Sequence, residues 1–147
     1  MASTGARTDP LLGFRFEVMI ESLPPAGFSE CTGLQAELEV QEFREGGLNT
    51  YVHRFPSRLR HPVLTLRRGI VDRALWDWYD AIIQGDFSRR NGSIALRDPT
   101  GAQTMVEWQF RGAFPSNWRG PELNASQSTV AVETFELSHE GLTRTGA

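Results

Sequence analysis

Phe14, Phe16, Val18 and Ile20 alternate with Arg15, Glu17, Met19 and Glu21, a period of two that predicts a half-buried strand. The stretch Leu23-Pro24-Pro25-Ala26-Gly27 ends it. Leu34, Ala36, Leu38 and Val40 then alternate with Gln35, Glu37, Glu39 and Gln41, the cleanest strand pattern in the chain. If the apolar set faces the core, the second set must face the other way. Residues 43–60 carry no regular pattern and contain Gly46-Gly47, Asn49 and Pro56. Such a stretch exceeds the ~12–15 residues usual for a structureless loop in a compact domain. Residues 62–67 predict another short strand. Asp72 can cap a helix over about residues 73–84, with Gly85 as the residue that stops it. On a helical wheel its Leu75, Trp76, Trp78, Tyr79, Ile82 and Ile83 spread over roughly 160°, wider than the ~100° stripe of a surface helix. Loops or another subunit must therefore cover its flank.

Residues 94–97 and 103–110 flank Asp98-Pro99-Thr100-Gly101, a hairpin turn. Pro115, Gly120 and Pro121 predict a loop over residues 113–126. The last strand spans 129–139, where the apolar positions switch parity from Val130 and Val132 to Phe135 and Leu137. A bulge or burial of both faces would explain the switch. The sum is one mainly β domain with a single helix, α+β in the loose sense, without internal repeats.

Composition sharpens this picture in three places. A chain of 147 residues fits one domain with a real core. All 15 basic residues are Arg, as a GC-rich genome would produce, and they are unevenly placed. Residues 1–53 carry a net −5, residues 54–73 a net +5 and the remainder a net −3, which suggests charge pairing between copies or neighbouring surfaces. No apolar run approaches a membrane span, and the amino terminus lacks the apolar region of a secretory signal, so synthesis in the cytoplasm is expected.

Enzymatic chemistry has no foothold. His53, His61 and His139 share no ligand spacing, and the single Cys31 has no nucleophile signature around it, so neither a metal nor a cofactor is expected. Without Lys no phosphate-binding P-loop is possible. Glu37 and Glu39 are more simply a solvated strand face than a glycosidase pair. The Arg-rich, aromatic segment 54–73 invites nucleic acid, but the pI of about 5.6 opposes it, so protein–protein pairing is favoured over specific nucleic-acid binding.

Several stretches, in order, carry a resemblance. They are Asp9-Pro10-Leu11-Leu12-Gly13-Phe14-Arg15-Phe16, Gly27-Phe28-Ser29-Glu30-Cys31-Thr32-Gly33-Leu34, Glu45-Gly46-Gly47-Leu48-Asn49 and Leu64-Thr65-Leu66-Arg67-Arg68-Gly69. Leu75-Trp76-Asp77-Trp78, Ala113-Phe114-Pro115-Ser116-Asn117-Trp118, Ala131-Val132-Glu133-Thr134 and Leu137-Ser138-His139-Glu140-Gly141-Leu142 complete the set. Together they resemble the tail-tube family of contractile phage tails and phage-like injection systems. The chain departs from that family at Pro56-Ser57, where Pro-Gly is common, and at Asn117, where Lys is common.

The resemblance implies an antiparallel β-barrel or sandwich with one flanking helix, six copies of which form a ring. Stacked rings would make a hollow tube inside a contractile sheath, with baseplate, tape-measure and cap proteins as further partners and DNA or protein as cargo. A specialised tube-end or baseplate-proximal paralogue is the alternative within the family, and a small ligand-binding β domain the alternative outside it. A virion tail and a released or cell-associated particle fit equally. In domain terms the resemblance implies an N-terminal arm at 1–8, a single tube domain at 9–142 and a tail at 143–147. On this reading Gln35, Glu37, Glu39 and Gln41 would line the lumen, and Leu75, Trp76, Tyr79 and Ile83 would meet a neighbouring subunit. Glu45, Gly46, Gly47, Asn49, Arg54, Arg58 and Arg60 would form a loop that grips the next ring.

Overall fold

The computed structural model describes residues 13, 15–24, 27–44, 46–47 and 52–146. Alternation produces β1 (Phe16–Ile20), whose Val18 and Ile20 point inward. A short β2 (Glu30–Thr32) follows, then β3 (Glu37–Phe43) and β4 (His53–Arg60). Next come β5 (Leu64–Gly69), the helix α1 (Ala74–Ile83), β6 (Arg90–Arg97), β7 (Thr104–Arg119), β8 (Val132–Ser138) and β9 (Gly141–Gly146). All strand pairings are antiparallel.

Long β7 organises the molecule. Its first part pairs with β6 on one side and β9 on the other, and its second part pairs with β8. Because Phe114 opposes Ser138 and Arg111 opposes Gly141, β8 and β9 form one path along β7, interrupted at His139 and Glu140. The sheet folds at this corner. Gly112 takes a φ of 61° there, its N–H donates to Asn91 Oδ1, and the Glu140 N–H donates to the Arg111 carbonyl. Arg89 closes the corner with a 2.7 Å ion pair to Glu140. One wing is thus β1-β6-β7-β9 and the other β7-β8-β5-β2. Val18, Ile20, Leu64, Leu66, Ile94, Phe110, Phe135 and Leu137 pack between them, with Leu75 and Trp78 of α1 completing the core.

Several elements differ from the expectations above. Residues 113–119 are strand, not loop, because Pro115 sits at a bulge on a part of β7 that β6 no longer borders. Residues 54–60 are strand as well, paired with β3 in a two-stranded ribbon that joins neither wing. In that ribbon Leu38 and Val40 are 54% and 57% exposed, so the expected core face of β3 is solvent-facing. Residues 143–146, expected as tail, belong to β9. The parity switch in β8 requires no bulge, since its register with β5 is continuous. Inward positions are 133, 135 and 137, and the first of them is a glutamate. The expected arm at 1–8 lies outside the described residues.

Candidate assembly surfaces

Glu133 and Arg68 are both buried, and their charges meet: Arg68 Nε donates to Glu133 Oε1 at 2.9 Å. The other Glu133 oxygen accepts from Trp118 Nε1 at 3.0 Å. Arg68 Nη2 donates to Asp72 Oδ1 at 2.8 Å, and the same oxygen accepts the Ala74 N–H at the start of α1. That backbone hydrogen bond, joined by the Arg68 contacts, holds the Asp72 carboxyl below the usual carboxylate range. The network fixes α1 to β5, β7 and β8. Arg68 is thereby removed from the surface basic segment expected from the sequence. At the helix end Gly85 takes a φ of 103° and donates to the Ile82 carbonyl, as its position predicts.

The helix flank divides in two. Leu75, expected to meet another subunit, is 2% exposed in the chain's own core, because it sits on the side of α1 that faces β7. Trp76 lies edge-on to Trp118 at 4.8 Å and is 37% exposed, with Tyr79 beside it, while Ile83 is 59% exposed. Exposed Val71 and Phe87 extend the apolar surface past both helix ends.

The β3–β4 ribbon carries the largest group of exposed apolar side chains among the described residues. Antiparallel register places Leu38 opposite Leu59 and Val40 opposite Pro56 on one face. On the other face Gln41 opposes Phe55 and Phe43 opposes His53. Leu38, Val40, Phe43, Phe55 and Leu59 are each more than half exposed. Arg54 pairs with Glu42 at 3.6 Å and Arg60 with Glu39 at 3.2 Å, so two of the three expected docking arginines are engaged within the ribbon. Arg58 lies exposed at the β4 side of the register shift. Gly46 and Gly47 are exposed near the tip, Gly47 with a φ of 94°; Glu45 and Asn49 lie outside the described residues. Glu37, Glu39 and Gln41 lie on this ribbon, with Gln35 in the segment leading to it.

A second polar face was not singled out from the sequence. On the wing β1-β6-β7-β9, register aligns Glu17, Ala95, Glu107 and Thr145 in one row and Met19, Ser93, Gln109 and Thr143 in the next. These rows alternate with the inward Val18, Ile94, Val106 and Phe110, so they form the wing's outer face. Beyond this wing's outer strands, β1 and β9, no further strand pairs among the described residues. The alternation of Glu17 and Met19 with Val18 and Ile20 was the hint on β1, and that of Glu107 and Gln109 on β7.

Metal-ligand clusters of three or more side chains are absent among the described residues, and no described helix is long and apolar enough to cross a membrane. Burial pushes the Cys31 thiol up to about 11. Its alkylation by iodoacetamide at pH 8 is expected to run about 100-fold slower than that of a thiol with the ordinary pKa, because the thiolate is the reacting form; mass spectrometry of the native protein over time checks this.

Comparison with known proteins follows the same lines. A model of the family described as T4-like virus tail tube protein gp19 matches residues 12–143. Among solved structures, the anti-feeding prophage (AFP) cap, described as its tube terminating cap, contains a chain 26% identical, with a TM-score of 0.88 and all of both chains covered. A chain in the six-fold symmetrised AFP baseplate is 25% identical with a TM-score of 0.81, covering 95% of this chain and 98% of that one. A chain in the extended sheath-tube complex of the extracellular contractile injection system PVC shares the fold at 23% identity and a TM-score of 0.85, covering 94% and 93%. No curated protein matches the chain.

Proposed function

The chain belongs to the T4-like virus tail tube protein gp19 family, and from that premise we propose that it is a non-enzymatic building block of the rigid inner tube of a contractile injection system. Six copies close a ring, and rings stack into a hollow conduit that a sheath drives forward. The observation that carries this reading is the wing β1-β6-β7-β9, which ends on β1 and β9, each with one edge that pairs no further strand among the described residues, and which carries a polar outer face. Joining β9 of one copy to β1 of the next satisfies both rows of backbone groups and leaves this wing no edge open to uncontrolled pairing. A head-to-tail contact of this kind generates a closed ring when the rotation completes a circle.

Ring closure in that manner turns the outer face of the wing inward. Glu17, paired with Arg97, and Glu107, Gln109, Thr143 and Thr145 then keep the channel wall wet, and the Glu107 carboxylate repels anionic cargo. On this reading the wing lines the lumen in place of Gln35, Glu37, Glu39 and Gln41, and it is favoured because Leu38 and Val40, on whose facing the core that expectation rested, are exposed in the subunit. The ribbon instead projects to the adjacent ring. Its contact is chiefly apolar, because burying the remaining surface of Leu38, Val40, Phe55 and Leu59 contributes ~1 kcal/mol each. Trp76, Tyr79 and Ile83 meet the neighbouring subunit within the ring. Sheath, baseplate and cap proteins are the partners of such a tube.

Purified protein, viewed by negative-stain microscopy, is expected to show rings and tubes with a stain-filled channel. Leu38→Asp with Leu59→Asp changes only exposed side chains, so the subunit folds and closes rings that no longer stack. Tubes of normal length from that variant would refute the ribbon's role, and a protein that stays monomeric at high concentration and joins no tube would refute the function. Copy number in an isolated particle separates a main tube subunit, present in every ring, from a tube-end paralogue present in a single ring.

A further inference from the structure

His61 and His139 are 78 residues apart in sequence, yet their rings lie with centroids 5.1 Å apart at a tilt of 46°. His61 directly follows β4 and so marks the root of the ribbon, while His139 occupies the corner where the sheet folds. The Phe110 ring lies 6.5 Å from His139 on the core side. His139 Nδ1 is 3.2 Å from the Gly141 carbonyl oxygen. A carbonyl only accepts, so Nδ1 carries the proton and Nε2 presents a bare lone pair. That Nε2 and both ring nitrogens of His61 are buried without a hydrogen-bond partner. Three orphaned nitrogens in one place are costly for a structural contact and are poorly suited to hold charge.

We propose that the His61–His139 pair is an acid-sensitive pin that holds the root of the β3–β4 ribbon against the sheet corner and releases it on taking up protons. A proton added at His139 Nε2 creates an imidazolium beside a second ring that carries no compensating negative charge. The charged groups on the surrounding elements are already engaged or turned elsewhere. Arg60 at the end of β4 pairs with Glu39, and Glu140 at the corner pairs with Arg89. The Arg111 guanidinium lies along Gly141. Burial is the main influence keeping His139 below the ordinary histidine pKa; the Gly141 and Pro62 carbonyls oppose it, and charge on His61 adds to it. A partly buried imidazole whose pKa is lowered on folding contributes stability that is complete above about pH 6.5. That stability is lost as pH falls from the unfolded value toward the folded one, because the unfolded chain binds the proton first. On the reading of the ribbon as the stacking element, the pin makes ring stacking acid-labile.

Denaturant unfolding of the wild-type protein at pH 7.5, 6.5 and 5.5 tests the pin, as most carboxylates titrate below this window. The unfolding constant is expected to rise by up to about tenfold per pH unit for each excluded proton below pH 6.5. The slope is lost in His61→Leu with His139→Phe and kept in His53→Gln. Hydrogen exchange, corrected for the intrinsic pH effect, is expected to show the ribbon root opening at pH 5.5 before α1 does. Should the double variant fail to fold, 13C-histidine NMR of the wild type decides, with the His139 ring expected to titrate below the ordinary histidine value. A flat wild-type profile, a slope that survives the double substitution, or His139 titrating at or above the ordinary value overturns the pin. Ribbon exchange with tubes that remain long at pH 5.5 would instead refute the ribbon's part in stacking and leave the pin standing.

Discussion

Arg68→Met is expected to destabilise the subunit by about 3–5 kcal/mol, the range found when one member of a buried ion pair is removed. The cause is what remains. Glu133 is 3% exposed and loses the guanidinium at 2.9 Å, while Asp72 loses its 2.8 Å partner at the helix start. Trp118 Nε1 alone cannot solvate a buried carboxylate. For a domain of this size such a loss lowers Tm by roughly 10–15 °C. Arg68→Met with Glu133→Leu removes both charges and is expected to recover more than half of that loss, because two buried ions then no longer require solvation. Thermal unfolding of the wild type, both single variants and the double variant closes the cycle. Additive effects would show the two charges to be energetically independent and would overturn the pairing.

Gly33→Ala is expected to disturb the neck of the ribbon as severely. Gly33 lies between β2 and β3 with a φ of 94°, a region costing an L-residue ~1–2 kcal/mol. A methyl group built there would fall on the Val63 carbonyl oxygen and lie 3.2 Å from the Leu64 Cα. Val63 belongs to the chain returning from β4 to β5, so the outgoing and returning strands of the ribbon cross at this contact. Because the obstacle is backbone, no rotamer change relieves it. Relief requires the two strands to separate, which re-aims the ribbon. We expect a melting temperature at least 5 °C lower together with loss of tubes. Wild-type stability and normal tubes in this variant would show that the crossing tolerates displacement. Gly46→Ala, near the exposed tip with open space around it, serves as the control.

What the sequence made legible followed burial on one side. β1 and α1 alternate because each has one face on the core, and the caps at Asp72 and Gly85 are local chemistry that needs no tertiary context. β4 escaped notice because both its faces are solvent-exposed in the subunit, so His53–Arg60 has no alternation to show, and Pro56 reads as a breaker although a two-stranded ribbon tolerates it at its open side. For β3 the alternation was real but its meaning was inverted: Leu38 and Val40 face away from this chain's core. Glu133 was illegible for a related reason. A buried carboxylate looks like a surface residue until its partner, 65 positions away, is brought beside it. The tail-tube resemblance was carried by ordered short stretches, several of which mark constrained points: Gly33 at the neck, Arg68 and Glu133 in the core, His139 at the corner.

The strand β7 has a mechanical meaning. Sixteen extended residues reach about 50 Å at most, and this one strand belongs to both wings. A conduit pushed lengthwise through a barrier is loaded in compression and shear, and its weakest joint is wherever two sheets meet only through side chains. Here the joint is a continuous covalent spar, with hydrogen-bonded neighbours on either side of the bend. Force directed along β7 passes from one wing to the other through the backbone and loads the ladder bonds in shear, so that they fail together instead of unzipping one at a time.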